Sequence, residues 1–176
     1  DVCSSDLAIS PNGFVNHFDT LFDDIPIRYV ITGRPGSGKA TLVGRLAEAA
    51  VKRGFFIESF HCSLDPKKIE HVIIPALGIA AITSAPLHEV QRKAGDVIID
   101  TAPYVDDSLL EKNAQEIDEA EGMYTRALET GQRLIADAKR THDAMEKYYT
   151  PYMNFDAIAQ VRARTLNEIL ELAGIN

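Results

Sequence analysis

The sequence predicts an α/β domain, a short parallel sheet between two helical layers, followed by a long C-terminal helical hairpin. Three observations predict it. A β-branched and aromatic run, Ile27-Arg28-Tyr29-Val30-Ile31-Thr32, is short enough for a buried strand. A glycine-rich stretch, Gly33-Arg34-Pro35-Gly36-Ser37-Gly38-Lys39-Ala40-Thr41, follows it directly, and then Leu42, Val43, Leu46, Ala49 and Ala50 recur at helical spacing up to a stop at Gly54. From Asp107 onward strand signals cease and a seven-residue periodicity takes over. Strand, glycine loop and helix in this order are the arrangement of a P-loop NTPase, so the expected class is a three-layer αβα domain of that type.

Residues 1–7 read as a translated sequencing-library adapter and are set aside as a scar, which leaves Cys62 as the native cysteine and implies that the native chain begins upstream. Residues 8–105 are expected to form the nucleotide-binding core and residues 106–176 a helical arm. Pro11-Asn12-Gly13 signals a turn, and Phe14, Val15, Phe18, Leu21 and Phe22 at helix-like spacing predict a short helix or irregular segment packed on the sheet edge.

The glycine loop fits G-x-x-x-x-G-K-[ST] except at its last position. Glycines let the backbone wrap a phosphate, the amides of the loop and of the helix N-terminus point at it, and the helix dipole favours its charge. Lys39 would reach the β- and γ-phosphates. The hydroxyl that normally ligates Mg²⁺ follows the lysine, and there the chain has Ala40. Thr41 does not replace it, because one residue further along a helix is turned by roughly 100°. Nucleotide binding and Mg²⁺-dependent hydrolysis are therefore separate expectations, the second weakened.

Phe55 to Phe60 reads as a second strand, whose end at His61-Cys62-Ser63-Leu64-Asp65-Pro66 falls where open parallel sheets bind ligands. Val72 to Pro75 is predicted as a short extended piece and Gly78 to Thr83 as the central strand. That strand ends in Thr83 rather than an acid. Asp100, closing Val97-Ile98-Ile99-Asp100, and Asp65 are the two candidates to position Mg²⁺ or water, with a turn or capping role as the plain alternative for Asp100. His88-Glu89 and Arg92-Lys93 form a polar loop expected on the same edge, with two readings: a cation there that touches a γ-phosphate or a phosphorylated substrate, and, as the plain alternative, an ordinary solvated loop.

In the arm, Leu110, Ile117, Tyr124, Gly131, Ala138 and Met145 repeat every seven residues, with Ala114, Glu121, Leu128, Ile135, His142 and Tyr149 offset by four. A helix over 108–149 would run roughly 60 Å, so it is expected to project, to bend near Gly122 or Gly131, or to pack elsewhere. Beyond Thr150-Pro151 a last helix, capped by Asn154 or Asp156, is expected to run back along it. His142 reads as a helical side chain, no second ligand lying at metal spacing.

Composition narrows the functions. With 26 acidic against 18 basic residues the net charge is -8, which argues against a general nucleic-acid or membrane-surface binder. The apolar run Val72 to Ile82 is interrupted and too short to span a bilayer. Two cysteines without metal spacing fit a reducing cytoplasm.

The loop, His61-Cys62-Ser63-Leu64-Asp65, Val72-Ile73-Ile74-Pro75-Ala76-Leu77, Gly95-Asp96-Val97-Ile98-Ile99-Asp100 and His142-Asp143 with Glu146-Lys147-Tyr148-Tyr149 together resemble the C-terminal half of an uncharacterised bacterial ATP-binding family with two tandem phosphate-loop halves. The resemblance runs from about Ile9 to the C-terminus. It implies a cytoplasmic protein, ATP as the nucleotide, and a second half upstream as partner. Ala40 and Thr83 depart from that family's pattern, and both touch the metal. Three functions follow in order: an ATP-binding half of a tandem ATPase, a non-hydrolysing sensor or scaffold half acting through its arm, and a small-molecule or nucleotide kinase.

Overall fold

The computed structural model describes residues 2–4, 7–85 and 89–175. They fall into two compact units that meet between Ile135 and Ala136, inside a helix, rather than at residue 105. The reason is that the early part of that helix belongs with the sheet unit, where Ile117, Leu128 and Ile135 are half-buried.

The first unit is mixed α/β. Its main sheet has six strands in the order β1-β5-β6-β7-β4-β8, formed by β1 Val2–Ser4, β4 Ile27–Thr32, β5 Glu58–His61, β6 Ile69–Ile74, β7 Ile79–Thr83 and β8 Val97–Asp100. β2 Leu7–Ser10 and β3 Gly13–Asn16 make a separate antiparallel hairpin whose turn is Pro11-Asn12. Phe14 and Val15 are therefore strand, not helix. Val2–Ser4, set aside on sequence grounds, pairs in parallel with β5 as the edge strand, since backbone pairing at an open edge asks little of side chains. Asp1, Ser5 and Asp6 of that segment lie outside the described residues.

The sheet is mixed rather than parallel. β4 pairs in parallel with β7 and β8, whereas β6 runs antiparallel to both β5 and β7. What sequence reads as an extended piece before Pro75 is a full strand. A single 3-10 turn, Pro75–Leu77, and Gly78 join it to β7, and a link that short cannot make the crossover of about a dozen residues that parallel strands need.

Two apolar layers sandwich the sheet. On one face α2, Lys39–Lys52, lays Val43, Ala47 and Ala50 against Ile31, Val72 and Ala81, an i, i+4, i+7 stripe that turns one side of the helix inward. On the other face the five-residue α1, Phe18–Phe22, buries Phe18 and Phe22 with Val30, Phe60, Ile73 and Ile82, and Val90 joins them from the segment before β8. α1 thus packs on the sheet face, not on its edge. Both phenylalanines meet buried His71 edge-on, at 5.2 and 5.6 Å between ring centres.

α3, Asp107–Lys112, and α4, Ala114–Tyr149, are separated by Asn113, and α4 continues unbroken through Gly122 and Gly131. In the second unit the rest of α4 is followed by α5, Phe155–Leu172, which Asn154 caps through Oδ1, accepting from the Ala157 N–H at 3.0 Å. α5 does not pack along α4 as an antiparallel partner. Ile158, Val161, Leu166 and Ile169 remain exposed instead. Among the described residues no helix is long and apolar enough to cross a membrane.

Candidate functional site

The glycine loop joins the end of β4 to the start of α2. Gly38 is the N-cap of α2 with φ +87, a conformation glycine adopts without a Cβ penalty. It offers no side chain to the first-turn N–H groups, which have no intrahelical acceptor and sit at the positive end of the helix dipole. Lys39 folds back over the loop, its Nζ donating to Gly33 O at 2.7 Å and Arg34 O at 2.9 Å. Burial pushes the Lys39 pKa down, and the nearby Glu70 carboxylate partly restores it. Ser37, Lys39 and Ala40 are half-buried, whereas Arg34, Pro35, Gly36, Gly38 and Thr41 are exposed. Ala40 brings only a methyl group to the first turn.

A hydroxyl pin holds the loop from behind. Thr101 Oγ1 donates to Thr32 O at 2.8 Å and lies 2.7 Å from Ser37 Oγ, while its own N–H donates to the same Thr32 carbonyl at 2.9 Å. Thr101 is buried. The approach is so close that a Cβ on Gly33, which has φ +145, would stand 1.9 Å from Thr101 Oγ1. Sequence reasoning missed Thr101, because only the pairing of β8 with β4 brings it there.

The two candidate acids separate. Asp100 pairs in register with Thr32, one strand from the loop; its Oδ1 accepts from the Ala102 N–H at 3.0 Å and lies 3.4 Å from Thr32 Oγ1. It is engaged as a turn residue, the plainer of its two expected roles. Asp65 follows β5, three strand spacings from β4, or roughly 14 Å. Hydrogen bonding to Lys68, 3.1 Å away, and to the Lys67 N–H holds its pKa below the ordinary carboxylate value. His61 is tied into the same turn, its Nδ1–H donating to Pro66 O at 2.7 Å. Thr83 is buried at the end of β7 and its N–H donates to His71 Nδ1 at 3.0 Å, which puts the imidazole proton on Nε2.

Of the polar loop, Arg92 and Glu89 line a cleft of about 310 Å³ beside the glycine loop, together with Thr32, Gly33, Ser84 and Val90. Lys93 does not join them. It pairs with Asp23 at 2.7 Å, near the opposite end of β4, where Arg28 binds Asp96. His88 lies outside the described residues.

Away from this site, α4 brings ligand atoms of His142, Asp143 and Glu146 within 4.8 Å of one another, so His142 does have neighbours at metal spacing. They lie along one helix, His142 and Glu146 exposed and Asp143 half-buried, and Lys139 already engages Asp143. A concavity of about 560 Å³ around Gly122 is lined, among the described residues, by α4 alone. Compared with protein-family models, curated proteins and solved structures, the chain matches none, so the reading of the site rests on its own geometry.

Proposed function

We propose that this chain is an ATP-binding domain of the P-loop NTPase type, one half of a tandem ATPase. The observation that carries the reading is Lys39, held by Gly33 O and Arg34 O across a glycine loop at a strand-to-helix junction. An ammonium group resting on backbone carbonyls is displaceable. A triphosphate entering the loop would offer Nζ stronger, charged acceptors, while the first-turn N–H groups of α2 bind the same anion. Arg92 in the adjoining cleft is a second cation within the site's reach.

The metal fits less completely. Ala40 has no ligand atom, and Thr83 stands buried where an acid would hold water on Mg²⁺. These two residues favour a second reading, a nucleotide sensor or scaffold half that binds and does not hydrolyse. Titrating the full chain and a Lys39→Ala variant with a fluorescent ATP analogue tests the binding claim. The parent is expected to bind, and Lys39→Ala to bind at least tenfold more weakly, as the loss of a charge-assisted contact implies. Equal affinity would end the reading. Phosphate release by the parent separates the two forms: release supports the ATPase, and binding without release supports the sensor.

A further inference from the structure

Both hydrogens that Ser37 could give an anion are already engaged inside the protein. Its N–H donates to Arg34 O at 3.2 Å. Its hydroxyl lies 2.7 Å from Thr101 Oγ1, and the direction of that bond follows by elimination. The single Thr101 hydroxyl proton goes to Thr32 O at 2.8 Å, a carbonyl that can only accept, so Ser37 Oγ–H donates to Thr101 Oγ1. The Arg34 carbonyl that takes the Ser37 amide also takes Lys39 Nζ, at 2.9 Å. The loop thus satisfies its own donors, and it turns Gly33 O and Arg34 O toward the ammonium that a phosphate would need.

The backbone around Ser37 is built to turn. Ser37 stands between Gly36 at φ +78 and Gly38 at φ +87, each beside open space among the described residues. Glycine on both sides lets the Ser37 unit rotate at little steric cost. Thr101 has no such freedom. It is buried, its hydroxyl and its N–H both donate to Thr32 O, and its own carbonyl accepts from the Tyr104 N–H at 3.2 Å. Of the two hydroxyls in this bond, one is mounted on a hinge and the other is fixed to the sheet.

We propose that Thr101 is a positioning residue that holds the loop in a resting form: its hydroxyl draws the Ser37 proton away from the ligand, and a triphosphate takes that proton over on binding. The proposal rests on reading Gly33 to Lys39 as a nucleotide loop. A phosphate oxygen is charged and is the stronger acceptor, so it draws Ser37 Oγ–H and Lys39 Nζ off their neutral oxygens. Thr101 Oγ1 then keeps only its bond to Thr32 O. The Ser37–Thr101 bond therefore competes with the ligand. Removing the Thr101 oxygen strengthens binding, the reverse of what losing a contact to the ligand does, by about fivefold, the factor that one net hydrogen bond between neutral groups supplies.

The test is titration of the full chain with a fluorescent ATP analogue for the parent, Thr101→Val, Thr101→Ser, and Ser37→Ala with and without Thr101→Val. Thr101→Val keeps the volume and the N–H bond to Thr32 O, removes the acceptor, and is expected to bind about fivefold more tightly than the parent. Thr101→Ser keeps the acceptor and is expected to match the parent. In the Ser37→Ala background there is no proton to release, so Thr101→Val is expected to bring no gain there, whereas a general loosening of the loop would act in both backgrounds. Thr101→Cys, whose sulfur is a weak acceptor, is expected to shift affinity the same way and carries the test should Thr101→Val fail to fold. Equal or weaker binding on loss of the Thr101 oxygen overturns the proposal, as does a gain that persists with Ser37→Ala, and either result leaves the loop reading standing. A parent and variants that bind nothing overturn both.

Discussion

The two ends of β4 each carry a cation, and they hold it in opposite ways. At the start of the strand Arg28 is buried: Nη2 donates to Asp96 Oδ2 at 3.0 Å and to Gln91 O at 2.9 Å, and Nε lies 3.0 Å from Asp96 Oδ1. Asp96 is buried as deeply, and Asp23 stands 3.7 Å away. At the far end Lys39 is half-buried and rests on two neutral carbonyls, with no carboxylate among its hydrogen-bond acceptors in the described residues. A charge pair closed from solvent is a brace, whereas an ammonium on weak acceptors at an open loop is ready to change partners. The difference separates what holds the sheet from what is free to bind.

The largest expected effect breaks the brace. Asp96→Ala leaves a buried guanidinium without its hydrogen-bonded counter-charge, with Asp23 left at 3.7 Å beside it, and such losses cost about 3–5 kcal/mol. Urea unfolding is expected to show a fall of that order, while Lys39→Ala, at the displaceable end, moves stability little. Comparable losses for both would erase the distinction.

The next effect concerns the pin behind the loop. Gly33→Ala puts a methyl group where Thr101 Oγ1 stands and asks alanine for φ +145, so a loss of about 1–3 kcal/mol is expected from backbone strain alone. Thr101→Val removes the hydroxyl and leaves the Thr101 N–H on Thr32 O, which predicts about 1 kcal/mol. Combining the two in a double-mutant cycle sharpens the point. Valine still fills the space that the new methyl group needs, so the pair is expected not to rescue Gly33→Ala, and a rescue would mean that the hydroxyl alone set the clash.

How far this was legible in the sequence follows the range of the interactions. β4, the loop and α2 were legible because each depends on residues adjacent in sequence: a β-branched run, glycines where φ is positive, and an inward stripe at Val43, Ala47 and Ala50. The reversal of β6 was also in reach, since Pro75 to Gly78 is too short for a crossover; taking Val72 to Pro75 for a short extended piece hid it. Thr101 was not legible. Its place comes from β8 pairing with β4, which leaves no local pattern. In the arm the heptads predicted α4, and the apolar spacing beyond Pro151 predicted α5, but that spacing misled about packing, because Val161, Leu166 and Ile169 stay exposed. Periodicity marks a face and does not say what covers it.

The smallest effect is a pH dependence at Lys39. Its pKa is lowered from an ordinary 10.5, mainly by burial and against the pull of Glu70. Below the folded pKa both folded and unfolded chains carry the charge, and the burial penalty is present in full. Between the folded value and 10.5 the unfolded chain binds more protons, so this residue's contribution to stability improves as pH rises, and it is constant above. Anion binding has the opposite sign, because a triphosphate needs the ammonium form. Affinity for an ATP analogue is therefore expected to fall as pH rises toward 10.5, beginning earlier than an unperturbed lysine would allow. In Lys39→Arg the guanidinium stays charged, so that variant's profile is expected to stay level over the same range. Parallel profiles for parent and variant would show that the charge on residue 39 does not contact the ligand, and would make Lys39 as much a brace as Arg28.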